Sequence, residues 1–445
     1  MLKQNLAYIL TVIVLLFFFI VFNKKSTSKS FLTFVLYMLP FLDFRVIPEA
    51  WSGLNILDLT TLYSFFFLFK EFFSVGTIKS NNFYFFLFLL FAIITLFGSL
   101  SSEFPKNSLI HFVKIFPIFI YARFLLVECL YDKSFHKEVI KILKNVYIIS
   151  LIFLLIQVIV GLSFTFYPTL NGNTYDINTG LTRYPGYFFE SQVHGQYLAM
   201  GSFLFFLTND SMNKKEILIH YFILAAALFA IIAAGSRGAL GGYCFGMIVS
   251  FFLAGKRYRI GLLALIVLSV SYYVVFSPRY GVFNRAEGLN DDLAFRQSLW
   301  KGAFEISKNN PLLGIGNNNY LEYVKIHAKD QYLEVEGGEL IYFNQPENGY
   351  LKILVEFGYF GFGIFVLFIV APLVNGVSLF MKNIYDYKVT FLIGSVLSWI
   401  IGFNSDYSFA DTRILFMVTT LLVLILSYPR SDEISYEEPY YNKLL

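Results

Sequence analysis

Pro346-Glu347-Asn348 closes a long polar stretch where an apolar run of spanning length begins. A carboxylate partly desolvated at such a boundary has a raised pKa and can serve as a general base. The same residue could instead cap the helix that follows, where negative charge is favourable, and periodicity leaves both readings open. Arg237, in Gly235-Ser236-Arg237-Gly238, stands between two adjoining apolar runs, and its small neighbours would let a ligand or another backbone come close. Charge beside hydrocarbon is costly, which makes it a candidate for function; the alternative is an arginine snorkelling to the interface. Arg296 and Trp300 are four apart in a stretch with helical spacing and share a face. A guanidinium beside an indole suits a sugar diphosphate, or else forms an internal cation–π pair. His111 and Lys114, at i and i+3, could meet an anionic head group or an internal charge partner. Arg183 precedes the turn Tyr184–Glu190, and Glu190 with His194 has the spacing of half a metal site. No further His or Cys joins them locally, so no metal is expected. Lys352 and Glu356 are read as a structural ion pair, and no P-loop, GxGxxG or acidic nucleotide site is present.

The elements that must position these groups follow from composition. Of 445 residues, 57% are hydrophobic, only 14% are charged and 54 are Phe, with a mean hydropathy of +0.63. That leaves too little polar surface for a water-soluble particle, so the bilayer is the solvent for most of the chain. A net charge of +4 gives no bias toward nucleic acid, and two cysteines, Cys129 and Cys244, exclude a disulfide framework. Thirteen apolar runs have spanning length. They are Asn5–Phe22, Phe31–Ile47, Leu54–Phe73, Phe83–Leu100, Ser108–Val127, Val139–Gly161, Gln192–Leu207, Ile217–Ala234, Gly238–Ala254, Ile260–Phe276, Gly349–Leu373, Val389–Phe403 and Arg413–Tyr428. The first has no small-residue cleavage site after it and is kept as a helix. The third and fifth carry charge, so the expectation is an all-α polytopic membrane protein of 12 to 13 transmembrane helices. Sixteen Lys and Arg residues fall in one set of short loops, against Lys106 and Arg183 in the opposite set, which makes the first set cytoplasmic.

Two stretches on the non-cytoplasmic side are too long to be turns: Leu162–Ser191 and Ser277–Asn348. In the second, Asn290–Asp292 is placed to cap a helix over Leu293–Ile306, and Pro311 with Gly314-Ile315-Gly316 then breaks the chain. The organisation expected is therefore transmembrane helices and an outer loop over 1–276, a large, partly helical outer loop over 277–348, the last spans over 349–428 and a cytoplasmic tail over 429–445.

Several of these stretches together resemble one family. Gly235-Ser236-Arg237-Gly238-Ala239-Leu240 resembles the serine-arginine-glycine signature of the O-antigen ligase and polymerase superfamily. Arg296 to Trp300, followed by Asn310-Pro311-Leu312-Leu313-Gly314-Ile315-Gly316, resembles its large-loop motif. Glu347-Asn348-Gly349-Tyr350-Leu351, then Glu356, Gly358 and Gly361, resembles the motif that closes that loop, and Arg183 to Gly186 with Phe189-Glu190-Ser191 resembles the preceding outer loop. The resemblance implies a metal-independent, cofactor-free glycosyltransferase with a GT-C-like fold, active at the outer face of the cytoplasmic membrane. Its substrates would be glycans on undecaprenyl diphosphate, with membrane lipids and a chain-length regulator as further partners. It implies Glu347, Arg237 and Arg296 as catalytic residues, and Arg183, Arg285, Lys114, Trp300, Glu190 and Asn348 as substrate-binding. Ligases of the family carry histidine where this chain has Glu347, which favours a Wzy-like polymerase of O-antigen, capsule or exopolysaccharide repeat units. A ligase acting on lipid A-core or protein, and a flippase for the same lipid-linked glycan, are the alternatives.

The loop charges generate a direct test of orientation. A cysteine introduced beside Asn318 should react with a membrane-impermeant maleimide in intact cells, and one beside Lys215 should react only after permeabilisation. The reverse labelling pattern would put both long loops in the cytoplasm.

Overall fold

The computed structural model describes residues 9, 11–20, 27–44, 54–74, 79–167, 181–207, 214–253, 289–328 and 340–430, together with 170, 174–176, 332–334 and scattered positions between 259 and 271. Most of the span expected over Ile260–Phe276, the tail 431–445 and Arg285 lie outside the described residues. In chain order the helices are α1 (Thr11–Ile20), α2 (Ser28–Tyr37), α3 (Ile56–Phe67), α4 (Phe69–Ser74), α5 (Lys79–Ser101), α6 (Pro105–Val113), α7 (Ile115–Tyr131) and α8 (Lys133–Val160). They continue as α9 (Ser191–Ser202), α10 (Lys214–Ala233), α11 (Arg237–Leu253), α12 (Leu289–Asn309), α13 (Tyr320–His327), α14 (Gly349–Met381), α15 (Val389–Phe403) and α16 (Thr412–Leu426). Two short antiparallel hairpins interrupt the helical pattern: β1 (Tyr175–Asp176) with β2 (Leu181–Thr182), and β3 (Tyr332–Glu334) with β4 (Leu340–Tyr342).

The chain is an all-α polytopic membrane protein. Phe83–Ser101, Pro105–Tyr131, Lys133–Val160, Lys215–Ala233 and Gly349–Met381 are each long and apolar enough to cross a bilayer. Their outward residues are apolar, as at Ile159, Phe222 and Phe86, which are 84%, 74% and 60% exposed. Such surface is stable only against hydrocarbon. The shorter helices α15 and α16 are mostly buried, with Trp399, Phe403 and Leu424 fully enclosed.

Several runs expected as continuous spans are divided. Phe31–Ile47 is α2 followed by a 3₁₀ turn over Leu39–Phe41, where Pro40 occupies the first turn. Ser108–Val127 is split at Lys114 into α6 and α7, and Pro117, lacking an N–H, cannot carry the helical ladder back across that joint. Leu54–Phe73 breaks at Leu68, and Gln192–Leu207 is α9 followed by a 3₁₀ turn. The loop helix α12 starts at Leu289, four residues before the expected Leu293, so Asn290–Asp292 falls within its first turns.

Two close approaches of backbone hold the part of the bundle that carries the conspicuous motifs. The first joins α11 to α15, which run antiparallel. A methyl group on Gly242 would stand 2.1 Å from the Ser398 carbonyl oxygen, and one on Gly246 would stand 2.5 Å from that of Gly394. Gly238, Gly242 and Gly246 thus form a small-residue stripe that lets the two helices touch backbone to backbone.

The second is a break in α14 at Gly358, whose φ of 66° and ψ of −175° interrupt the helical ladder. The Pro311–Gly316 segment docks there as a turn held by backbone hydrogen bonds. Ile315 N–H donates to Val355 O (3.0 Å), Gly316 N–H to Glu356 O (3.0 Å), and Tyr359 N–H to Pro311 O (2.7 Å). Gly314 and Gly358 both have positive φ and leave no room for a Cβ against the facing backbone. Irregular backbone inside a membrane protein is tolerated where protein satisfies it, and here the glycine-rich loop does so.

Gly242→Ala must drive α11 and α15 apart, at a cost of about 1–3 kcal/mol. A lowered unfolding temperature in detergent is the expected result, whereas Gly241→Ala, where an added methyl meets nothing, should melt as the wild type. Equal melting of the two variants would remove the stripe as a structural determinant.

Candidate active site

The starts of four helices meet at one end of the bundle: α9 after Glu190, α11 at Arg237, α14 after Asn348 and α16 after Asp411. Helix N-termini carry unsatisfied N–H groups and partial positive charge, so this end favours an anion before any side chain is counted.

Glu347 lies at the centre of it. Its φ of 50° is a left-handed conformation that costs a non-glycine residue about 1–2 kcal/mol. The cap of α14 is Asn348, whose Oδ1 accepts from Leu351 N–H at 3.1 Å and whose Nδ2 donates to Asn404 Oδ1 at 2.9 Å. Capping is therefore done by the neighbour, and Glu347 turns instead toward Arg296, with Oε2 3.6 Å from the guanidinium Nη2. Both side chains are partly exposed, at 21% and 33%. Burial raises the Glu347 carboxyl above its ordinary value, Arg296 pulls it back down, and the charge of Glu190 pushes it up again.

A second carboxyl joins this group. Asp406 is 2% exposed, its Oδ1 accepts from Gln345 Nε2 at 2.9 Å, and Gln345 Oε1 accepts from Tyr407 N–H at 3.2 Å. Its Oδ2 is buried without a hydrogen-bond partner among the described residues. Burial, and then the charge of Glu347, raise Asp406 to about 7.

The Gly235–Gly238 segment is folded for close approach. Gly235 has a φ of 69°, and a Cβ there would stand 2.8 Å from the Arg183 Cγ, so the glycine makes room for that arginine. Ser236 Oγ accepts from Ala239 N–H at 3.2 Å and caps α11. Gly195 on α9 packs against Ser236, and Gly238 packs against Ser405, the neighbour of Asp406. Arg237 is the first residue of α11 and is exposed. A cation at a helix N-terminus opposes the macrodipole, which is a reason to look for an anionic ligand there. Arg183 is 7% exposed, and its N–H donates to Thr174 O at 2.8 Å.

The structure thus brings Glu190, Arg296 and Glu347 within electrostatic reach of one another, and packs the Gly235–Gly238 turn, with Arg183 against it and Arg237 within it, on the segment that holds Ser405 and Asp406. Trp300 is on α12 beside them, with its indole N–H buried and unpartnered among the described residues. Lys114 is not part of this group. It lines a neighbouring cavity of about 1170 Å³ together with His111, and stands near enough to Asp58 for their charges to interact. His111 Nε2 lies 2.9 Å from Asn318 Nδ2. His194 faces away from Glu190, stacked on Phe188 with ring centroids 4.9 Å apart and with Nε2 3.0 Å from Ser150 Oγ. Lys352 and Glu356 form a buried pair at 3.7 Å, and Lys352 also donates to Asn344 O at 3.0 Å. Among the described residues no group of three His, Cys, Asp or Glu side chains could hold a metal.

Sequence reasoning passed over the group that ties the site together. Arg413 is fully buried. Its Nη2 and Nε donate to the Asp411 carboxylate at 2.5 and 2.9 Å, Nη1 to Tyr187 O at 2.7 Å, and Nη2 also to the Tyr167 hydroxyl at 3.0 Å. The guanidinium lies over the Phe188 ring at 4.0 Å, and Asp43 is 3.7 Å away.

Residues 222–366 match the family model described as O-Antigen ligase. That segment contains every motif above except Arg183–Ser191. A relative from Haemophilus influenzae (strain ATCC 51907 / DSM 11121 / KW20 / Rd), described as an uncharacterized protein, is 23% identical over 212 residues, covering 43% of this chain and 51% of the relative. The chain therefore spans about half the length of the curated relative it matches.

Asp406 gives the site a pH signature. With a folded pKa near 7 against an ordinary value of 3.8, it stays protonated in the folded protein while the unfolded chain ionises. Its stabilising contribution is therefore complete below about pH 4 and is lost as pH rises through 7. The unfolding temperature in detergent should fall between pH 5 and pH 8 by a few degrees, and Asp406→Asn should flatten that slope. An unchanged slope in the variant would assign the effect elsewhere.

Proposed function

We propose, for a chain whose residues 222–366 match the O-antigen ligase family model, that it is a glycosyltransferase of the cytoplasmic membrane. It polymerises oligosaccharide repeat units carried on undecaprenyl diphosphate, at the outer face. The observation that carries this reading is the Arg296–Glu347 pair at the start of α14, with the charge of Glu190 within reach of it. The reaction is an inverting displacement at the anomeric carbon of the growing chain. The incoming sugar hydroxyl loses its proton to Glu347, the new glycosidic bond forms, and the bond to the diphosphate breaks with its electron pair going to undecaprenyl diphosphate.

Two kinds of group are needed, and the site supplies both. Charge that develops on the leaving diphosphate is stabilised by preorganised donors, here the arginines and the helix starts. Guanidinium forks fit phosphate oxygens better than ammonium does. Arg296 connects the two halves. Held by Glu347 in the absence of substrate, it can pass to the diphosphate and leave the carboxylate free to accept a proton. A half-buried carboxyl with a raised pKa is suited to that task near neutral pH. The Glu347 position, histidine in the ligases that the sequence otherwise resembles, supports the polymerase over the ligase reading.

The test is the product ladder formed by purified protein and lipid-linked repeat units in detergent. Glu347→Gln should slow polymerisation on the order of 10²-fold, the low end for a general base with a good leaving group. Glu347→His should keep measurable activity, and Arg237→Lys should restore little of what Arg237→Ala loses. Wild-type ladders from Glu347→Gln would remove the base, and full activity in Arg237→Lys would reduce Arg237 to an interfacial charge.

A further inference from the structure

Two of the spanning helices carry an exposed apolar stripe whose length can be measured against the bilayer. On α5 the exposed side chains Phe83, Phe86, Leu89, Ile93, Phe97 and Leu100 follow one face. On α14 Tyr359, Phe360, Leu367, Val374 and Met381 do the same. At 1.5 Å per residue the stripes are about 26 and 33 Å long, which brackets the roughly 30 Å of a hydrocarbon core. No residue of α14 before Tyr359 is exposed. The hydrocarbon boundary on the site's side therefore falls at the Gly358 break on α14 and near Leu100 on α5.

The Pro311–Gly316 turn lies at that boundary and not beyond it. Tyr359 N–H donates to Pro311 O at 2.7 Å, and a Cβ on Gly98 would stand 2.8 Å from the Leu313 carbonyl oxygen. The turn thus bridges α14 and α5 at the last lipid-facing residues of each, with Gly98 set between Phe97 and Leu100. From it the Leu312 side chain projects, 59% exposed. An aliphatic side chain between two lipid-facing stripes continues their surface, and the hydrocarbon that covers them is what accommodates it. The exposed face of α12 leading to it is of a different kind. Lys301, Glu305 and Lys308 lie on it, Lys308 paired with Glu305 at 2.9 Å, and Phe304 sits under the Lys308 ammonium, 4.8 Å from its ring centre. Beyond this polar stretch Pro311 and Leu312 are exposed and apolar.

We infer that Pro311–Leu313 is a membrane hook: Leu312 enters the acyl chains of the leaflet on the site's side and moors α12, which carries Arg296, to the lipid. The partner is the phospholipid layer itself, whatever reaction the site performs. Lipid holds one end of α12, and the pairing with Glu347 holds the part that bears Arg296. The test uses full-length protein carrying Cys244→Ala, in phosphatidylcholine nanodiscs. Cys129 stays, because at 1% exposure it is closed to reagents. The fluorophore NBD is attached at Leu312→Cys, at Phe97→Cys as the lipid-facing standard and at Lys301→Cys as the water-facing one. At 312 a phosphatidylcholine with a nitroxide high on its acyl chain should quench as strongly as it does at 97. Aqueous iodide should quench there at least about 5-fold less than at 301, because an anion does not enter hydrocarbon. Iodide quenching equal to that at 301 would put the turn in water and overturn the proposal. Protection from both quenchers would overturn it too, by showing that protein, such as a second copy, covers Leu312. Mooring is read by amide hydrogen exchange in the same nanodiscs. Leu312→Asp should speed exchange across α12 by about 3-fold or more while leaving α5 unchanged. Exchange in α12 that stays at the wild-type rate would overturn the mooring, and the quenching measurement does not depend on that variant.

Discussion

A guanidinium sealed inside a membrane protein has to be answered completely, and Arg413 is. Its donors go to the Asp411 carboxylate, the Tyr187 carbonyl and the Tyr167 hydroxyl, and its face lies on Phe188. Removing one partner of such a group typically costs about 3–5 kcal/mol, because the remaining charge stays buried. The consequence is geometric. Asp411 is the cap of α16, Tyr187 and Phe188 belong to the turn that follows Arg183, and Tyr167 belongs to the segment after α8. One side chain therefore fixes the start of α16 against the turn that delivers Arg183 and Glu190. The aromatic stack of Phe188 and His194 carries that register into α9, where Gly195 meets Ser236. Arg237 is positioned at the end of this chain of contacts.

The other half of the site depends on backbone rather than charge. The break at Gly358 frees the Val355 and Glu356 carbonyls, and Ile315 and Gly316 meet them. This fastens the segment that follows α12 to the first part of α14. The same two helices carry the two members of the Arg296–Glu347 pair, one on α12 and one immediately before α14. The glycines at 314, 316 and 358 thus serve the chemistry at a distance, by fixing where a loop helix sits on a spanning helix. Their resemblance to a family motif has a physical content: positive φ and no room for a side chain.

Much of this was legible in the sequence because the bilayer makes charge conspicuous. In an apolar chain each Lys, Arg, Asp or Glu at the edge of a hydrophobic run has to be explained, and Arg237 and Glu347 were singled out for that reason, whereas Arg296 stood out by its spacing to Trp300, Glu190 by its spacing to His194 and Arg183 by the turn it precedes. Lengths of apolar runs likewise placed most of the described helices, since hydrocarbon thickness sets them. What sequence could not supply was pairing across the fold. Asp411 and Arg413 were visible as charges at a helix start, but nothing local says that their partners are Tyr167 and Tyr187. Asp406 was not singled out at all, and only burial beside Glu347 makes it unusual. Lys114 shared every sequence attribute of the site cations, yet the joint between α6 and α7 directs it to the neighbouring cavity. The spacing of Gly238, Gly242 and Gly246 was present as a signal and points to close helix packing once the period of four is noticed.

Glu190 stands on the border between the site and the neighbouring cavity. Its charge pushes the Glu347 carboxyl up while Arg296 pulls it down. Glu190 is the cap of α9, and Glu347 lies one residue before the cap of α14. The first of those helix starts is held through the Arg413 contacts to Tyr187 and Phe188, and the second through the backbone bonds at the Gly358 break. How near the two carboxylates stand is therefore decided by packing remote from them, and on the proposed reaction that packing tunes the base.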